Sequence, residues 1–330
     1  MIALENKDSF IWNFDKKIIE IIHAAITTSD EIHIGLSYEG PCLQSCNFYN
    51  ILDIISDKFS IDKKRFVIYT SNISESHEQY KIIITDNIWP GSVRRVLSDH
   101  QVKNNNLQTI GCFVGRTNWP RLILLSWLDA YFQSQSLITC YYDNIDIGHI
   151  EGLGLTGCMI NFPTEINLVA NFLKTCPRIN LNFKELPYQD YRILPFAEKN
   201  QIITGGLSNA YPSIFLELVC ETYFTGMTFF PTEKTFRPML HMTPFITFGP
   251  QGFLSNLQRC GFKTFGDYWD ESYDNLQTKD RIIAIRTVLE KLFSLSKFEL
   301  QEMYADMSSI LKHNKDRLMT IQPEELKLVG

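Results

Sequence analysis

The stretch PTEKTFRP (residues 231–238) lies between two apolar runs, SIFLELVC (213–220) and PFITFG (244–249). Each run is short and rich in apolar residues, so each is predicted to be a buried β-strand. The stretch between them predicts the start of a helix. Two strands and a helix are therefore expected to converge on the charged residues Glu233 and Lys234.

Lys234 and Arg237 are unusual residues for the start of a helix. The first turn carries the positive end of the helix dipole, which disfavours each cation there by roughly 0.3–1 kcal/mol. A bound anion reverses this effect, because free backbone N–H groups and cationic side chains then share one partner. We predict a diphosphate here, with Glu233 available to a ribose hydroxyl. The alternative is that Glu233 pairs with Lys234 or Arg237 on a solvated helix face.

Length and composition limit the function classes. A chain of 330 residues predicts two domains, and 45% apolar with 13% aromatic residues supports sizeable cores. The formal net charge of −6 gives no general attraction for nucleic acid or anionic membranes. Of the eight cysteines, only Cys42 and Cys46 form a close pair, without the companion residues of a zinc site. Reduced cysteines, no secretory signal and no run of about 20 apolar residues predict a cytoplasmic protein without a membrane span.

The first hundred residues alternate between helical and strand patterns, which predicts βαβ units and a parallel sheet. Ligands of such sheets gather beyond the carboxyl ends of the strands, where Glu39 and Asn72 are expected to lie. The predicted elements are helices over 15–28 and 48–59 and strands over 32–36, 66–69 and 81–85.

A second alternation follows a polar segment at 102–107, which we predict to be a linker. Residues 145–162 are predicted to be irregular because they are rich in glycine, and the polar tail after Lys315 is predicted to fray. The predicted elements are strands over 109–114, 136–142 and 213–220, and helices ending near 132 and over 166–173, 253–260, 280–293 and 298–313.

A second group of cations follows the strand at 109–114. Arg116 lies in the turn that ends this strand, and Arg121 lies at the start of the next helix. If this sheet is doubly wound, both can face the same crevice as Lys234 and Arg237. Arginine suits phosphate because its planar guanidinium donates two parallel hydrogen bonds. The alternative is that Arg121 points along the helix surface and Arg116 caps a carbonyl.

These motifs resemble the donor-binding half of GT-B glycosyltransferases. The pattern is similar to that of the family 10 α-1,3-fucosyltransferases, which carry a Thr-Glu-Lys segment followed by Arg, here 232–234 and Arg237. Residues 231–274 also resemble predicted glycosyltransferases of phages and large viruses. The likeness covers about 109–275, and its motifs are short.

The resemblance implies an α/β fold of two Rossmann-like domains with a cleft between them. We expect an acceptor domain over 1–105, a nucleotide-sugar donor domain over 106–315 and a tail over 316–330. The implied reaction transfers a sugar from a nucleotide-diphosphate donor to an acceptor hydroxyl. The acceptor is a glycan, a lipid, a protein or a modified nucleic acid, and a viral source would place the protein in the host cytoplasm.

The resemblance implies that Glu233 binds the ribose or the sugar of the donor, and that Lys234 binds the ribose or the diphosphate. Arg116 or Arg121 would grip the phosphates, and Arg237 is a further candidate. The chain departs from the family at Pro238, which is expected to kink or end the helix.

The catalytic carboxylate of the family has no alignable motif in this chain. Glu39 is the candidate from its position at the end of the first predicted strand. We predict transfer without a metal or other cofactor, because no Asp-x-Asp motif stands in a suitable loop. The run over 270–274 is predicted to be structural, with loop acids and a tyrosine that cap the helix at 280.

Two other readings of the chain stay open from the sequence. One is a phage-type enzyme that glycosylates DNA bases, and the other is a non-catalytic binding or assembly protein on a doubly wound scaffold.

Overall fold

The computed structural model describes residues 2–4, 14–28, 30–36, 41–44, 47–84, 103, 107–114, 118–140, 154–174, 178–179 and 210–321. Over these residues the chain is α/β and contains two separate sheets of mainly parallel strands. The predicted α/β class with parallel sheets is confirmed at this level. Among the helices within the described ranges, none combines the length and apolar character that a membrane span requires.

The first sheet is wholly parallel, and its strands follow chain order, β1-β2-β3-β4. Side chains of β2 alternate in burial, and Ile32, Ile34 and Leu36 pack with residues of α1 and α2 in one core. The predicted strands and helices are confirmed, and β1 was not predicted because three residues give too short an apolar pattern. The elements are β1 (Ile2–Leu4), α1 (Phe14–Thr27), β2 (Ile32–Leu36), α2 (Phe48–Phe59), β3 (Phe66–Thr70) and β4 (Lys81–Ile84).

The second sheet has the order β7-β6-β5-β8-β9, and only the edge strand β7 runs antiparallel to its neighbour. From β5 the chain moves outward through β6 to β7, whereas from β8 it moves the opposite way to β9. The carboxyl ends of β5 and β8 therefore flank the point where the winding reverses. The strands are β5 (Gln108–Val114), β6 (Ser136–Cys140), β7 (Arg178–Ile179), β8 (Ile214–Cys220) and β9 (Phe245–Phe248).

Eight helices in the described residues accompany the second sheet and share its large apolar core. They are α3 (Trp119–Phe132), α4 (Gly154–Asn161), α5 (Ile166–Lys174), α6 (Glu233–Leu240), α7 (Phe253–Arg259), α8 (Thr278–Phe293), α9 (Lys297–Asp306) and α10 (Ser308–Thr320).

Three local expectations were wrong. Residues 154–161 form α4 although the region was predicted to be irregular, and the predicted helix 298–313 is two helices separated at Met307. The tail was expected to fray after 315, but α10 continues to Thr320 and Ile321 is fully buried. Pro238, which was expected to kink or end its helix, lies inside α6, and α6 ends two residues later at Leu240.

The segment predicted to be a linker is described only at two positions, and both are held in place. Lys103 donates hydrogen bonds to residues of the second sheet, and Leu107 is buried in that sheet's core. These contacts attach the end of the connecting segment to the second sheet.

Candidate functional site

The carboxyl ends of β5 and β8 provide the candidate site. In open α/β sheets, ligands bind outside the carboxyl ends of the strands at the point where the strand order reverses. In this sheet that point lies beside Val114 and Cys220, the last residues of β5 and β8. The segments that follow these strands carry most of the cations predicted from the sequence.

Glu221, the residue directly after β8, organises this end of the sheet. One carboxylate oxygen accepts hydrogen bonds from the Thr232 amide at 3.1 Å and the Thr235 hydroxyl at 2.5 Å. The other oxygen accepts from the Thr232 hydroxyl at 2.7 Å. A buried carboxylate is retained only with such partners. Glu221 therefore fixes the start of α6 to the end of β8.

Thr232 is the N-cap of α6. Its hydroxyl oxygen accepts from the backbone N–H of Lys234 at 3.3 Å, and the Lys234 ammonium donates to the same oxygen at 3.1 Å. Capping satisfies one of the N–H groups that a helix start leaves without a partner. The Thr232 side chain thus places the Lys234 ammonium beside the first turn of α6.

Glu233 and Lys234 form an ion pair of 3.1 Å, and their side chains remain 35% and 21% exposed. Burial opposes ionisation of Glu233, but the charges of Lys234 and Arg237 outweigh it and lower the pKa of this carboxyl. The pairing foreseen as the alternative is therefore present. The assignment of both residues to a donor stays a prediction.

Arg121 lies near the same strand end, and its side chain is turned inward. Its backbone N–H is held by the Asn118 side chain, the N-cap of α3. Its guanidinium donates to the carbonyl oxygens of Cys220 at 3.2 Å and Glu221 at 2.5 Å. Arg121 thus contacts the backbone of Glu221, whose carboxylate holds the Thr232 hydroxyl that Lys234 contacts, and the Arg121 side chain ties α3 to β8.

Arg237 is directed away from the start of α6 into the core. Its guanidinium forms an ion pair with Glu217 and donates to the Tyr211 hydroxyl at 2.7 Å, and that hydroxyl donates to Glu217 at 2.6 Å. Burial raises the pKa of Glu217, and Arg237 and Tyr211 offset part of that rise. Arg237 therefore holds α6 against β8 and has an internal partner for its charge.

The remaining predicted site residues, Glu39 and Arg116, lie outside the described residues. Their assignments, and the convergence of four cations, stay predictions.

Sequence reasoning missed Glu217 and Glu221, the two acids that organise this region. Both acids could have been identified from the sequence, because an acid within or directly after an apolar strand is rarely buried unless it has a partner.

The described residues contain no group of three or more His, Cys, Asp or Glu side chains arranged to hold a metal ion. Asp274 has a structural role, but it caps α7 and not the helix near 280: it accepts from the backbone N–H groups of Leu254 and Ser255. The Cys112 and Cys220 sulfurs lie 3.8 Å apart at the centre of the sheet. This contact and burial raise the pKa of Cys112, which keeps that thiol protonated.

Comparison with known proteins gives no family for this chain. No protein-family model, curated protein or solved structure matches it.

Proposed function

We propose that this protein is a glycosyltransferase that moves a sugar from a nucleotide-diphosphate donor to an acceptor hydroxyl. The observation that carries the proposal is the start of α6. There a half-buried Lys234, fixed by Thr232 and Glu221, lies beside a helix N-terminus at the reversal point of a parallel sheet. A helix start and a cation favour the same anionic ligand at the position where such sheets bind ligands.

The strand order supports assigning the second sheet to a Rossmann-like donor domain. Taken in chain order, β7-β6-β5-β8-β9 corresponds to 3-2-1-4-5, the order of dinucleotide-binding sheets, with an antiparallel edge strand as a departure. We propose that the first sheet forms the acceptor domain and that a GT-B type cleft separates the two. The cytoplasm is the proposed location.

In the proposed reaction, the bond between the sugar carbon and the diphosphate oxygen breaks while the acceptor oxygen bonds to that carbon. The negative charge that develops on the departing nucleoside diphosphate is neutralised by Lys234 and Arg116 and by the positive end of the α6 helix dipole. A carboxylate, for which Glu39 is the candidate, accepts the proton of the acceptor hydroxyl. In this scheme Arg121 and Arg237 hold α3 and α6 in place.

Calorimetric titration with UDP, GDP and their sugars tests the proposal. Lys234→Ala should weaken nucleotide affinity roughly ten- to hundredfold, because a hydrogen bond to a charged group contributes about 1.5–3 kcal/mol. Lys312→Ala, which removes an exposed lysine from α10, is the matched control and should leave the affinity unchanged. Equal affinities for wild-type and Lys234→Ala protein would count against the proposal.

A non-catalytic binding protein is the second candidate. It is favoured by the internal partners of Arg121 and Arg237, which leave fewer cations for a departing diphosphate. Nucleotide binding without hydrolysis or transfer of any donor sugar would support it. A DNA acceptor would instead show binding that falls steeply as salt is raised.

A further inference from the structure

Three hydrogen bonds join the loop after β3 to the loop between β8 and α6. The Phe229 backbone N–H donates to the Asn72 side-chain oxygen at 2.9 Å, and the Ile73 N–H donates to the Phe229 carbonyl at 3.1 Å. The Ser74 hydroxyl donates to the Met227 carbonyl at 2.7 Å. We call this contact between 72–74 and 227–229 the clasp. It connects the first sheet to the loop that leads into α6.

The Asn72 side chain is fixed from the side of the first sheet. It is 1% exposed, and its NH₂ group donates to Glu75 at 3.0 Å. Glu75 also accepts from the Leu43 N–H at 3.0 Å and the Tyr49 hydroxyl at 2.8 Å. Since both ends of the carboxamide are bonded, Asn72 has one orientation, and that orientation presents its oxygen to the Phe229 amide.

On the other side, the clasp is close in sequence to the candidate site. Phe229 is fully buried and packs edge-on against Phe253, with ring centroids 5.2 Å apart. Three residues later the chain reaches Thr232, which caps α6 and contacts Lys234. A displacement of Phe229 would therefore move the cap as well.

We propose that Asn72 is a positioning residue that sets the start of α6, and with it the Lys234 ammonium, relative to the first sheet. Its effect on a nucleotide rests on the proposed function. Its effect on the loop 227–232 does not, because the clasp consists only of contacts within the chain.

Hydrogen exchange measured by mass spectrometry tests the assignment on the full chain. In Asn72→Ala, peptides covering 227–232 should exchange about tenfold faster than in the wild type, because the Phe229 amide loses its acceptor. Asn72→Asp combined with Glu75→Gln keeps the acceptor oxygen without placing two carboxylates against each other, and should restore most of the protection.

The matched control is Asn314→Ala. Asn314 is equally buried, and its carboxamide bonds the N–H and the carbonyl of Lys263, both at 2.8 Å. This variant should lower the melting temperature to a similar extent and leave exchange at 227–232 unchanged. Wild-type exchange in Asn72→Ala, or equal acceleration in Asn314→Ala, would overturn the assignment. If Asn72→Ala does not fold, Ser74→Ala replaces it, because that variant keeps Asn72 and removes only a hydroxyl, which lies 2.7 Å from the Met227 carbonyl oxygen and 2.8 Å from the Asn72 side-chain oxygen.

Titration with UDP and GDP tests whether Asn72 also affects nucleotide binding. Asn72→Ala should weaken binding about fivefold while Asn314→Ala does not, because only the first variant releases the loop that carries Thr232. Unchanged nucleotide affinity in Asn72→Ala, with faster exchange at 227–232, would overturn the link to Lys234. If the wild-type protein binds neither nucleotide, the proposed function fails, and the exchange experiment alone decides the role of Asn72.

Discussion

At the residue scale, the buried charge of Glu217 in β8 explains why Arg237, one of the predicted ligand-binding arginines, turns inward. Glu217 is 1% exposed in the centre of the second sheet, where an unpaired carboxylate would be strongly destabilising. Arg237 supplies the countercharge, and Tyr211 satisfies the other oxygen. The chemistry of the strand thus determines where the helix places its cation.

Arg237→Met should destabilise the protein by about 3–5 kcal/mol, because it leaves the Glu217 carboxylate buried without its countercharge. The double variant Arg237→Met/Glu217→Leu should be less destabilised than Arg237→Met alone, since it removes both charges. Lys81→Met, which breaks the exposed Lys81–Glu31 pair, should cost less than about 1 kcal/mol. Urea unfolding measures all three, and a cost of Arg237→Met as small as that of Lys81→Met would contradict the argument.

Lys103 is the second cation near Glu217. Its ammonium donates to the carbonyls of Tyr211 and Ile214, each at 2.8 Å, and to the Thr243 hydroxyl at 2.9 Å, and it lies 5.1 Å from the centre of the Tyr304 ring. Burial lowers the pKa of Lys103 to about 7, although the charge of Glu217 opposes the shift.

This shift predicts a pH dependence of stability. Between pH 7 and the ordinary lysine pKa of 10.5, the unfolded chain binds a proton at Lys103 that the folded chain has released. Stability therefore rises with pH across this window, with a slope of at most about 1.4 kcal/mol per pH unit from this group. The free energy of unfolding of wild type minus that of Lys103→Met should increase from pH 7 to pH 9. A flat or falling difference would show that Lys103 stays protonated in the fold.

At the element scale, the contact between α3 and α4 depends on one glycine. A methyl group built on Gly157 of α4 would lie 2.5 Å from Cγ and 2.8 Å from Cβ of Trp119 in α3. Such distances are far below van der Waals contact. The two helices can approach this closely only because position 157 has no side chain.

Gly157→Ala should therefore destabilise the protein by about 1–3 kcal/mol through overpacking against Trp119. Helix propensity alone predicts the opposite, a gain of up to about 1 kcal/mol when alanine replaces glycine inside a helix. The sign of the change in urea midpoint decides between the two effects. In the double variant Gly157→Ala/Trp119→Ala the loss should be smaller than the sum of the two single losses, because Trp119→Ala removes Cγ and Cδ1, which lie 2.5 and 2.6 Å from the added methyl group.

The same glycine explains one limit of the sequence prediction. Strands such as 32–36 and 214–220 were predicted within about one residue because apolar runs bounded by turn residues are a local signal. Gly154 and Gly157 counted against a helix, yet packing on α3 stabilises α4 there. The break between α9 and α10 at Met307 was not predicted because the sequence has neither glycine nor proline there.

At the scale of the whole molecule, the two sheets have cores of unequal size over the residues that the structure describes. The core of the second sheet draws on four of its strands and all eight of the helices α3–α10, whereas the core of the first sheet draws mainly on α1, α2 and three strands. Because burial of apolar surface is the main stabilising term, the second sheet should be the more stable unit.

We expect the first sheet to open before the second. In native-state hydrogen exchange with increasing urea, amides of 32–36 and 66–70 should lose protection at a lower concentration than amides of 110–114 and 214–220. A common concentration for all four segments would show instead that the two sheets unfold as one cooperative unit.

The contacts of the candidate site could be predicted only between residues that are close in sequence. Glu233 and Lys234 are adjacent, and their pairing was foreseen as an alternative. The partners of Arg121 and Arg237 lie 100 and 20 positions away in the chain, so only the folded arrangement shows that both side chains are directed inward. The start of α6 could therefore be predicted from the sequence, but the direction of the Arg121 and Arg237 side chains could not.

The clasp also has a consequence for synthesis on the ribosome. Asn72 and Phe229 are separated by 157 positions, so at 5–20 residues per second their contact becomes available only after roughly ten to thirty seconds of translation. During this interval Asn72 can form hydrogen bonds only to water and to residues close in sequence. When residues 227–229 leave the ribosome, the first sheet has already had time to fold. Nascent chains that end before 227 should therefore leave this edge of the first sheet accessible to chaperones.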